Sequence, residues 1–535
     1  MNAGIGSEQP AWLQALAAAL SEALPRLHGA SPEPLVGELI GALAEALAEG
    51  RLEVAVPSAS HLQALAASPL CAEPYGPLAL EGERLMWRRW QLQREGVLQT
   101  LIARAQRPLQ APGEVEAATM IAACINGLDA DQQQAVRAVL EHGLVLLEGG
   151  PGTGKTSTVA RMLAAVRAQQ PTSRIHLAAP TGKAAARLRA ALAGTDLQLP
   201  CSTLHRLLES RGEHFGRNRH HPLALDLLVV DEVSMVDLPL MGALLDALPP
   251  TCRLVLVGDA AQLPPVGPGP VLIDLQAPER RQAMGSAAIT LHTTYRNNGA
   301  IAAVAAALRD GEQPLENLLP QLLDSLPPDA NLRWLQAAPR SLPATLLERL
   351  RRHQQQLEER CRHCPPNNSV AAASLLGSLD ACLVLTPLRR GRWGVEAIHQ
   401  ALLGDAANRS PQHWPVGTPV LCRHNLVELG LANGDVGLVV EWPETSSGER
   451  RLLFRSAGGP EPLWIHPAQL PGAEPALALT VHKAQGSEAD EVWVLMPDTG
   501  RPQGRLLYTA LTRARQQAQL ITPLRPPAPS ASLPV

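Results

Sequence analysis

Apolar residues recur along this chain in two rhythms, and the change from one to the other divides it. Near the start, Trp12, Leu13, Leu16 and Leu20, then Leu35, Leu39, Leu43 and Leu47, keep the three-and-four spacing of amphipathic helices. That spacing predicts helices over 11–49, with Gly50 placed to cap the second and an alternating strand at 51–56. Residues 85–101 return to helical spacing, with Trp87 and Trp90 three apart, either as packing residues or as a platform for a ligand. The Pro- and Gly-bearing break at 108–113 predicts a domain boundary.

From about residue 115, short uninterrupted apolar runs alternate with helical stretches. The runs at 144–147, 227–230 and 254–257, and 175–178 apart from His176, lack the polar alternation of a half-exposed strand. Strands buried on both faces and separated by helices predict a doubly wound, parallel α/β sheet. Residues 311–380 are weakly periodic, and Pro327-Pro328 and Pro365-Pro366 mark loops within them. A second α/β region is predicted from about 381–386. Residues 415–475 are rich in β-forming runs and turn pairs (Asn433-Gly434, Ser447-Gly448, Gly458-Gly459), which predicts a small β insert. The segment after Thr522 reads as a disordered tail.

Length and composition narrow the classes. A chain of 535 residues predicts two to four domains. No apolar run reaches the roughly 18 residues that span a bilayer, so no membrane association is expected. No basic residue precedes Arg26, which argues against a signal peptide, and eight scattered cysteines fit a reducing cytoplasm. The net charge of −4 hides an asymmetry: residues 1–130 hold 14 acids against 8 Lys and Arg, whereas residues 155–220 hold 11 Lys and Arg against 3 acids. One face for a polyanion and one acidic, protein-facing domain would give that pattern. Of the 46 basic residues only Lys155, Lys183 and Lys483 are lysine, and the other 43 are arginine. A GC-rich genome produces such a bias, so the positions where lysine persists deserve a chemical reason.

The first lysine lies in Gly149-Gly150-Pro151-Gly152-Thr153-Gly154-Lys155-Thr156-Ser157, between the apolar run at 144–147 and a helical run at 159–166. Glycines there let backbone N–H groups wrap phosphates at a helix N-terminus. Lys155 is placed to reach the β- and γ-phosphates of ATP, and the Thr156 hydroxyl to bind Mg²⁺. The apolar run at 227–230 ends in Asp231-Glu232. Asp231 is the expected second Mg²⁺ ligand, and Glu232 the group that orients or deprotonates the attacking water. Upstream, Leu128-x-x-x-Gln132-x-x-Ala135 has the form of an adenine-reading Gln motif, although a solvated helix start would look the same.

Further blocks follow in order: Ala179-Pro180-Thr181-Gly182-Lys183-Ala184-Ala185, Ser202-Thr203-Leu204-His205, Val257-Gly258-Asp259-Ala260-Ala261-Gln262-Leu263-Pro264, Tyr295-Arg296, Asn433-Gly434-Asp435, Thr480-Val481-His482-Lys483-Ala484-Gln485-Gly486-Ser487-Glu488 and Tyr508-Thr509-Ala510-Leu511-Thr512-Arg513. Across 128–515 this series resembles the helicase motifs of superfamily 1, in the RecD branch, the α subunit of exodeoxyribonuclease V. The resemblance implies two RecA-like motor domains with ATP between them, and ATP hydrolysis coupled to 5′→3′ movement on single-stranded DNA. It implies Gln262 as a γ-phosphate sensor and Arg296 and Arg513 as arginine fingers from the second motor domain. It also implies DNA contacts at Thr181, Gly182, Lys183, His205, Asn433, Asp435, Thr480, His482 and Lys483. Contacts to phosphate and sugar carry no sequence information, which suits a translocase. Aromatic residues are 3% of the chain, too few for base-stacking platforms.

By the same resemblance, 1–114 is a mainly helical partner-docking domain and 115–290 the first motor domain. Residues 291–522 form the second, with an SH3-like insert at about 415–475, and 523–535 form the tail. Residues 209–222 stand where relatives carry a strand-splitting pin, for which Phe215 or the His/Arg cluster are candidates beside a plain surface loop. RecB- and RecC-like subunits and duplex-end DNA are the implied partners. Standalone relatives carry a longer N-terminal extension, so the short one here favours the subunit form over a standalone helicase or a catalytically weak scaffold. No acid-x-Lys nuclease motif accompanies any of the three lysines, so nuclease chemistry is expected in a partner. Cys361-x-x-Cys364 lacks the second pair a structural zinc site requires.

Overall fold

The strand Leu144–Gly149 is buried along its whole length, and the sheet that forms around it organises the first half of the chain. The structure, a computed structural model, describes residues 11–72, 74–109, 114–192, 199–212, 214–295, 299–310, 315–327, 329–362, 364–365, 368–442, 449–456, 461–497 and 504–524. Six parallel strands lie in the order Ala288–Leu291, Leu144–Gly149, Arg253–Gly258, Leu227–Val230, Ile175–Ala179, Cys201–Thr203. Alternate side chains serve opposite faces. Leu144, Leu146, Leu228 and Leu254 enter one core, while Val145, Leu147, Val229 and Val255 enter the other. Helices Ala130–Glu141, Lys155–Gln169 and Gly182–Leu192 cover the second face. The doubly wound pattern is therefore present as expected, with every apolar run on a strand.

Five further parallel strands build a second sheet, ordered Leu332–Ala337, Ala514–Pro523, Ala489–Leu495, Cys382–Thr386, Leu479–Thr480. Between Cys382–Thr386 and Leu479–Thr480 in the chain, residues 419–475 form a separate antiparallel sheet of five short strands. Helices Ala344–Arg362 and Ser369–Gly377 cover one face of that sheet through Leu357, Cys361, Leu375 and Leu376 against Leu438, Val440 and Leu453. Residues 311–380, weakly periodic in sequence, thus include the support of the β insert. Cys361 is a packing residue there, and burial pushes its thiol up to about 12. No cluster of three or more metal-binding side chains occurs among the described residues.

The N-terminal region differs most from its pattern. Helices Ala11–Leu27 and Pro34–Ala48 form, and Gly50 adopts the left-handed φ of 78° that ends the second. Trp12 and Leu16, however, are exposed. Residues 85–87 are not helical: Arg84–Trp87 is the central strand of a three-stranded antiparallel sheet with Glu53–Ala55 and Leu78–Glu81. Helix begins only at Arg88. A strand joined directly to a helix merges the two spacings, which is why the pattern read as one helix. Helix Arg88–Gln106 sends Val97, Leu98, Leu101 and Ala105 into the first sheet's core. Its buried Arg104 donates to the carbonyls of Leu248, Pro249 and Cys252. Residues 110–113 of the expected boundary and 525–535 of the expected tail lie outside the described residues, whereas Pro523 ends a strand and Leu524 N donates to Ala337 O, so the start of that tail is ordered. No described helix is long and apolar enough to cross a membrane.

Candidate nucleotide and nucleic-acid site

The phosphate loop joins strand Leu144–Gly149 to helix Lys155–Gln169. Gly152 and Gly154 hold φ of 78° and 82°, a region costly for any residue with a Cβ. A Cβ on Gly149 would stand 2.5 Å from Thr153 Oγ1, and one on Gly154 2.8 Å from Gln132 Nε2. The loop is therefore closed around itself and leaves its backbone facing the cleft. Lys155 Nζ donates to the carbonyls of Gly149 (2.6 Å) and Gly150 (2.9 Å), and Ser157 Oγ to that of Gly154. Thr156 stands one residue after the lysine on the first helical turn, and Pro151 lies in the turn between strand and helix.

Gln132 is buried rather than solvated. Its Oε1 accepts from Asp129 N in a capping box, and its Nε2 faces Gly154. Tyr295 joins it: its N donates to Gly152 O at 2.8 Å, and its hydroxyl donates to Asp129 Oδ2 at 2.7 Å. The ring is more than half exposed beside the loop, an aromatic surface that its place in the motif alone does not reveal.

Asp231 and Glu232 follow strand Leu227–Val230. Asp231 N donates to Ala178 O, and Glu232 N to Asp231 Oδ1. Glu232 sits at φ 53°, ψ 43°, a left-handed conformation rare for a residue with a side chain. Burial and then the Glu232 carboxylate hold the Asp231 carboxyl above its ordinary range, while Lys155 and Arg187 pull it back. Two adjacent acids facing an ammonium and a guanidinium suit a hard divalent ion shared with phosphate oxygens better than a cage made by protein alone.

Beyond strand Arg253–Gly258, Asp259 accepts from Ala261 N, Gln262 Nε2 (3.3 Å) and the Tyr508 hydroxyl (2.7 Å). Gln262 is 4% exposed, and its Oε1 is buried without a partner. Leu263 N donates to Thr509 Oγ1, Gln485 Nε2 to Leu263 O, and Arg505 Nη1 to Ala260 O. Helix Gly504–Leu511 of the second sheet thus grips this loop of the first. Arg513, expected in the cleft, is 2% exposed and directs Nε to Thr509 O and Nη1 to Ser487 O. Arg296 lies outside the described residues.

The residues expected to face DNA divide into two groups. His205, Asn433, His482 and Lys483 are exposed, and Lys483 Nζ donates to Asn433 Oδ1 at 2.7 Å. Thr480 Oγ1 accepts from Lys483 N, and Thr181 Oγ1 caps the following helix through Ala184 N. Gly182 packs closely on the β insert: a Cβ there would meet Ala432 Cβ at 2.8 Å and Asp435 Oδ1 at 3.2 Å. Lys183 instead lines a cavity of about 310 Å³ with Asp380, Asp435, Arg455 and Glu488. Burial lowers its ammonium to about 8, against the pull of Asp380 and Asp435. Arg187, unmarked in sequence, pairs with Glu488 at 2.6 Å across the two sheets. At 209–222, Ser210–Arg211 and His214–Phe215 form a minimal hairpin, with Phe215 turned against the first core and 6.5 Å from the His205 ring.

Residues 132–268 match the AAA domain family, and residues 475–521 the UvrD-like helicase C-terminal domain. The chain is 37% identical to the RecBCD enzyme subunit RecD of Mycolicibacterium smegmatis, over 86% of its own length and 82% of that protein's. It is 32% identical to the ATP-dependent RecD2 DNA helicase of Deinococcus radiodurans, over 73% of this chain and 48% of that one. A solved Pif1 helicase from Bacteroides, in complex with ADP-AlF3 and ssDNA, aligns over 74% of this chain and 92% of its own, at 16% identity and a TM-score of 0.41.

Proposed function

This chain belongs to the RecD family of superfamily 1 helicases, and from that premise we propose that it is the 5′→3′ motor subunit of a RecBCD-type exodeoxyribonuclease V. It is an ATP-dependent DNA helicase, acting at DNA ends in recombination and double-strand-break repair, with RecB- and RecC-like partners. The grip of helix Gly504–Leu511 on the 259–263 loop carries the reading. It connects the residues beside the phosphates to the half of the molecule that must move.

ATP lies with its phosphates on the 149–157 loop and its base between Gln132 and the Tyr295 ring. Lys155 leaves its two carbonyl partners for the β- and γ-phosphates. Thr156 and Asp231 would hold Mg²⁺, which when bound would supply positive charge to the transferring phosphoryl group. Glu232 takes the proton of the attacking water, and its strained backbone fixes the carboxylate's direction. Gln262 senses the terminal phosphate by donating from Nε2, which in the open cleft is held by Asp259. Arg513 approaches only as the cleft closes, since it must first give up its carbonyl acceptors, and Arg296 acts as the second arginine finger.

Single-stranded DNA runs over Thr181, His205, Asn433, Thr480, His482 and Lys483, with Gly182, Lys183 and Asp435 beneath as supporting residues. The five-stranded insert is SH3-like, and the 209–222 hairpin stands at the duplex junction. Acidic residues 1–114 dock the partner that carries the nuclease.

Strand displacement on 5′- and 3′-tailed duplexes tests this reading. The 5′-tailed substrate is expected to unwind, and Lys155→Ala to abolish DNA-stimulated ATPase while keeping DNA binding. Preferential unwinding of the 3′-tailed substrate would overturn the polarity, and normal turnover in Lys155→Ala the ATP site.

A further inference from the structure

We propose that Arg309 is a catalytic residue of the ATPase, reaching the terminal phosphate from the second motor domain. The inference rests on reading the cleft as an ATPase site. Arg309 lies in the last turn of helix Ala300–Asp310, which packs on helix Gly504–Leu511, and its side chain is exposed. Its Nη1 stands 3.9 Å from where a Cβ on Gly150 would be, and the Tyr508 hydroxyl stands 3.3 Å from the same point. Arg309, Tyr508, Asp259 and Gln262 thereby form a row beside the strand end of the phosphate loop. Arg513 has its donors engaged by carbonyls of its own half. Arg309, by contrast, is an arginine of the second half whose guanidinium the structure sets against this loop.

The chemistry fits the position. In hydrolysis the water oxygen forms a bond to the γ-phosphorus while the bond to the β,γ-bridging oxygen breaks. The water proton passes to Glu232, and ADP leaves with the electron pair. Arg309 gives up no proton. It offers a fixed, planar charge to the equatorial oxygens, and its hydrogen bonds strengthen as negative charge spreads over them. Its field also acts on Tyr508, opposing the rise that burial and Asp259 impose on that hydroxyl, so the two groups share one electrostatic neighbourhood. An arginine on a helix that packs against Gly504–Leu511 moves with the second half, so cleft closure would set its distance to the phosphate.

The test uses the full chain with Arg309→Ala and Arg309→Lys. Readouts are ssDNA-stimulated ATPase, affinity for ADP, and affinity for ADP with aluminium fluoride as a transition-state mimic. Arg309→Ala is expected to lower kcat by about 100-fold, with KM for ATP within about threefold. Affinity for the mimic should fall by a similar factor while ADP affinity holds, and Arg309→Lys should restore part of both. Wild-type kcat and mimic affinity in Arg309→Ala, beside an inactive Lys155→Ala, would overturn the inference alone. Parallel loss of ADP and mimic affinity would overturn it too, because it marks a residue that only shapes the loop. Absence of ssDNA-stimulated hydrolysis in the wild type would overturn the ATPase reading and the inference with it.

Discussion

The Tyr508 hydroxyl donates to Asp259 Oδ2 at 2.7 Å, across 249 residues of sequence and from one parallel sheet's helix to the other sheet's strand end. The same carboxylate accepts from Gln262, so the side chain proposed to sense phosphate and a tyrosine of the second half are tied to one buried acid. A shift of the Gly504–Leu511 helix must therefore move or break this pair. Leu263 adds two more bonds, to Thr509 and Gln485, that respond to the same displacement.

Tyr508→Phe keeps the ring and removes the donor, leaving Asp259 Oδ2 with the amide of Gln262 alone. Losing a hydrogen bond to a buried charged group costs about 1.5–3 kcal/mol. Turnover with saturating ssDNA is expected to fall about tenfold, with a lower thermal midpoint. Steady-state ATPase and a melting curve check both, and wild-type turnover would show that the pair does not couple the halves.

What the sequence exposed depended on contiguity. The phosphate loop, the Asp231-Glu232 pair and the 259–263 loop are local strings whose chemistry is set by neighbours in the chain, and all of them stand where strand ends meet. The Tyr508–Asp259, Arg187–Glu488 and Arg309–Gly150 relations join residues far apart, and no local spacing encodes them. One compositional signal was available. The chain has three tyrosines, and Tyr295 and Tyr508 both lie at the cleft, as the three lysines all lie in motifs. The hairpin at 78–87 was hidden because strand Arg84–Trp87 runs straight into helix Arg88–Gln106. The helix Ala344–Arg362 was hidden because its long charged face diluted the apolar stripe of Leu346, Leu350 and Leu357.

Lys155→Arg is expected to be nearly as inactive as Lys155→Ala. Lys155 Nζ lies within 2.6 and 2.9 Å of two carbonyls of its own loop, a pocket sized for a compact ammonium. A forked guanidinium needs more room and a flatter partner. ATPase activity above about a tenth of wild type in Lys155→Arg would mean that charge alone, not shape, defines the site.

Lys483 and Lys183 should separate in their response to salt. Lys483 is exposed and hydrogen-bonded to Asn433, whereas Lys183 faces Asp380 and Asp435 in a cavity. Only a cation that neutralises a phosphate releases counterions. Lys483→Ala is expected to reduce the slope of log K against log salt by about 0.7 on single-stranded DNA. Lys183→Ala should leave that slope unchanged while disturbing the packing of the β insert. Filter binding or anisotropy at four salt concentrations decides it, and an equal loss of slope in both variants would place Lys183 on the DNA after all.

Acid should destabilise the protein through its buried histidines. His353, 6% exposed in helix Ala344–Arg362, is held to about 4 by burial and by Arg349, against the opposing charge of Glu491. The unfolded chain takes up the proton near 6.5, whereas the folded chain resists it until about pH 4. Below 6.5 the unfolded state therefore binds more protons, and stability is lost progressively as pH falls from 6.5 towards 4. His399, also held to about 4 by burial, acts in the same direction. His353→Leu fills similar space and cannot titrate, so it removes one of these contributions. Between pH 7 and pH 4.5 the loss of unfolding free energy should be smaller in His353→Leu than in the wild type by about 2 kcal/mol. Urea unfolding at the two pH values measures it. Equal losses in both proteins would mean that His353 is protonated without penalty, and that the packing of this helix beneath the β insert is looser than its burial implies.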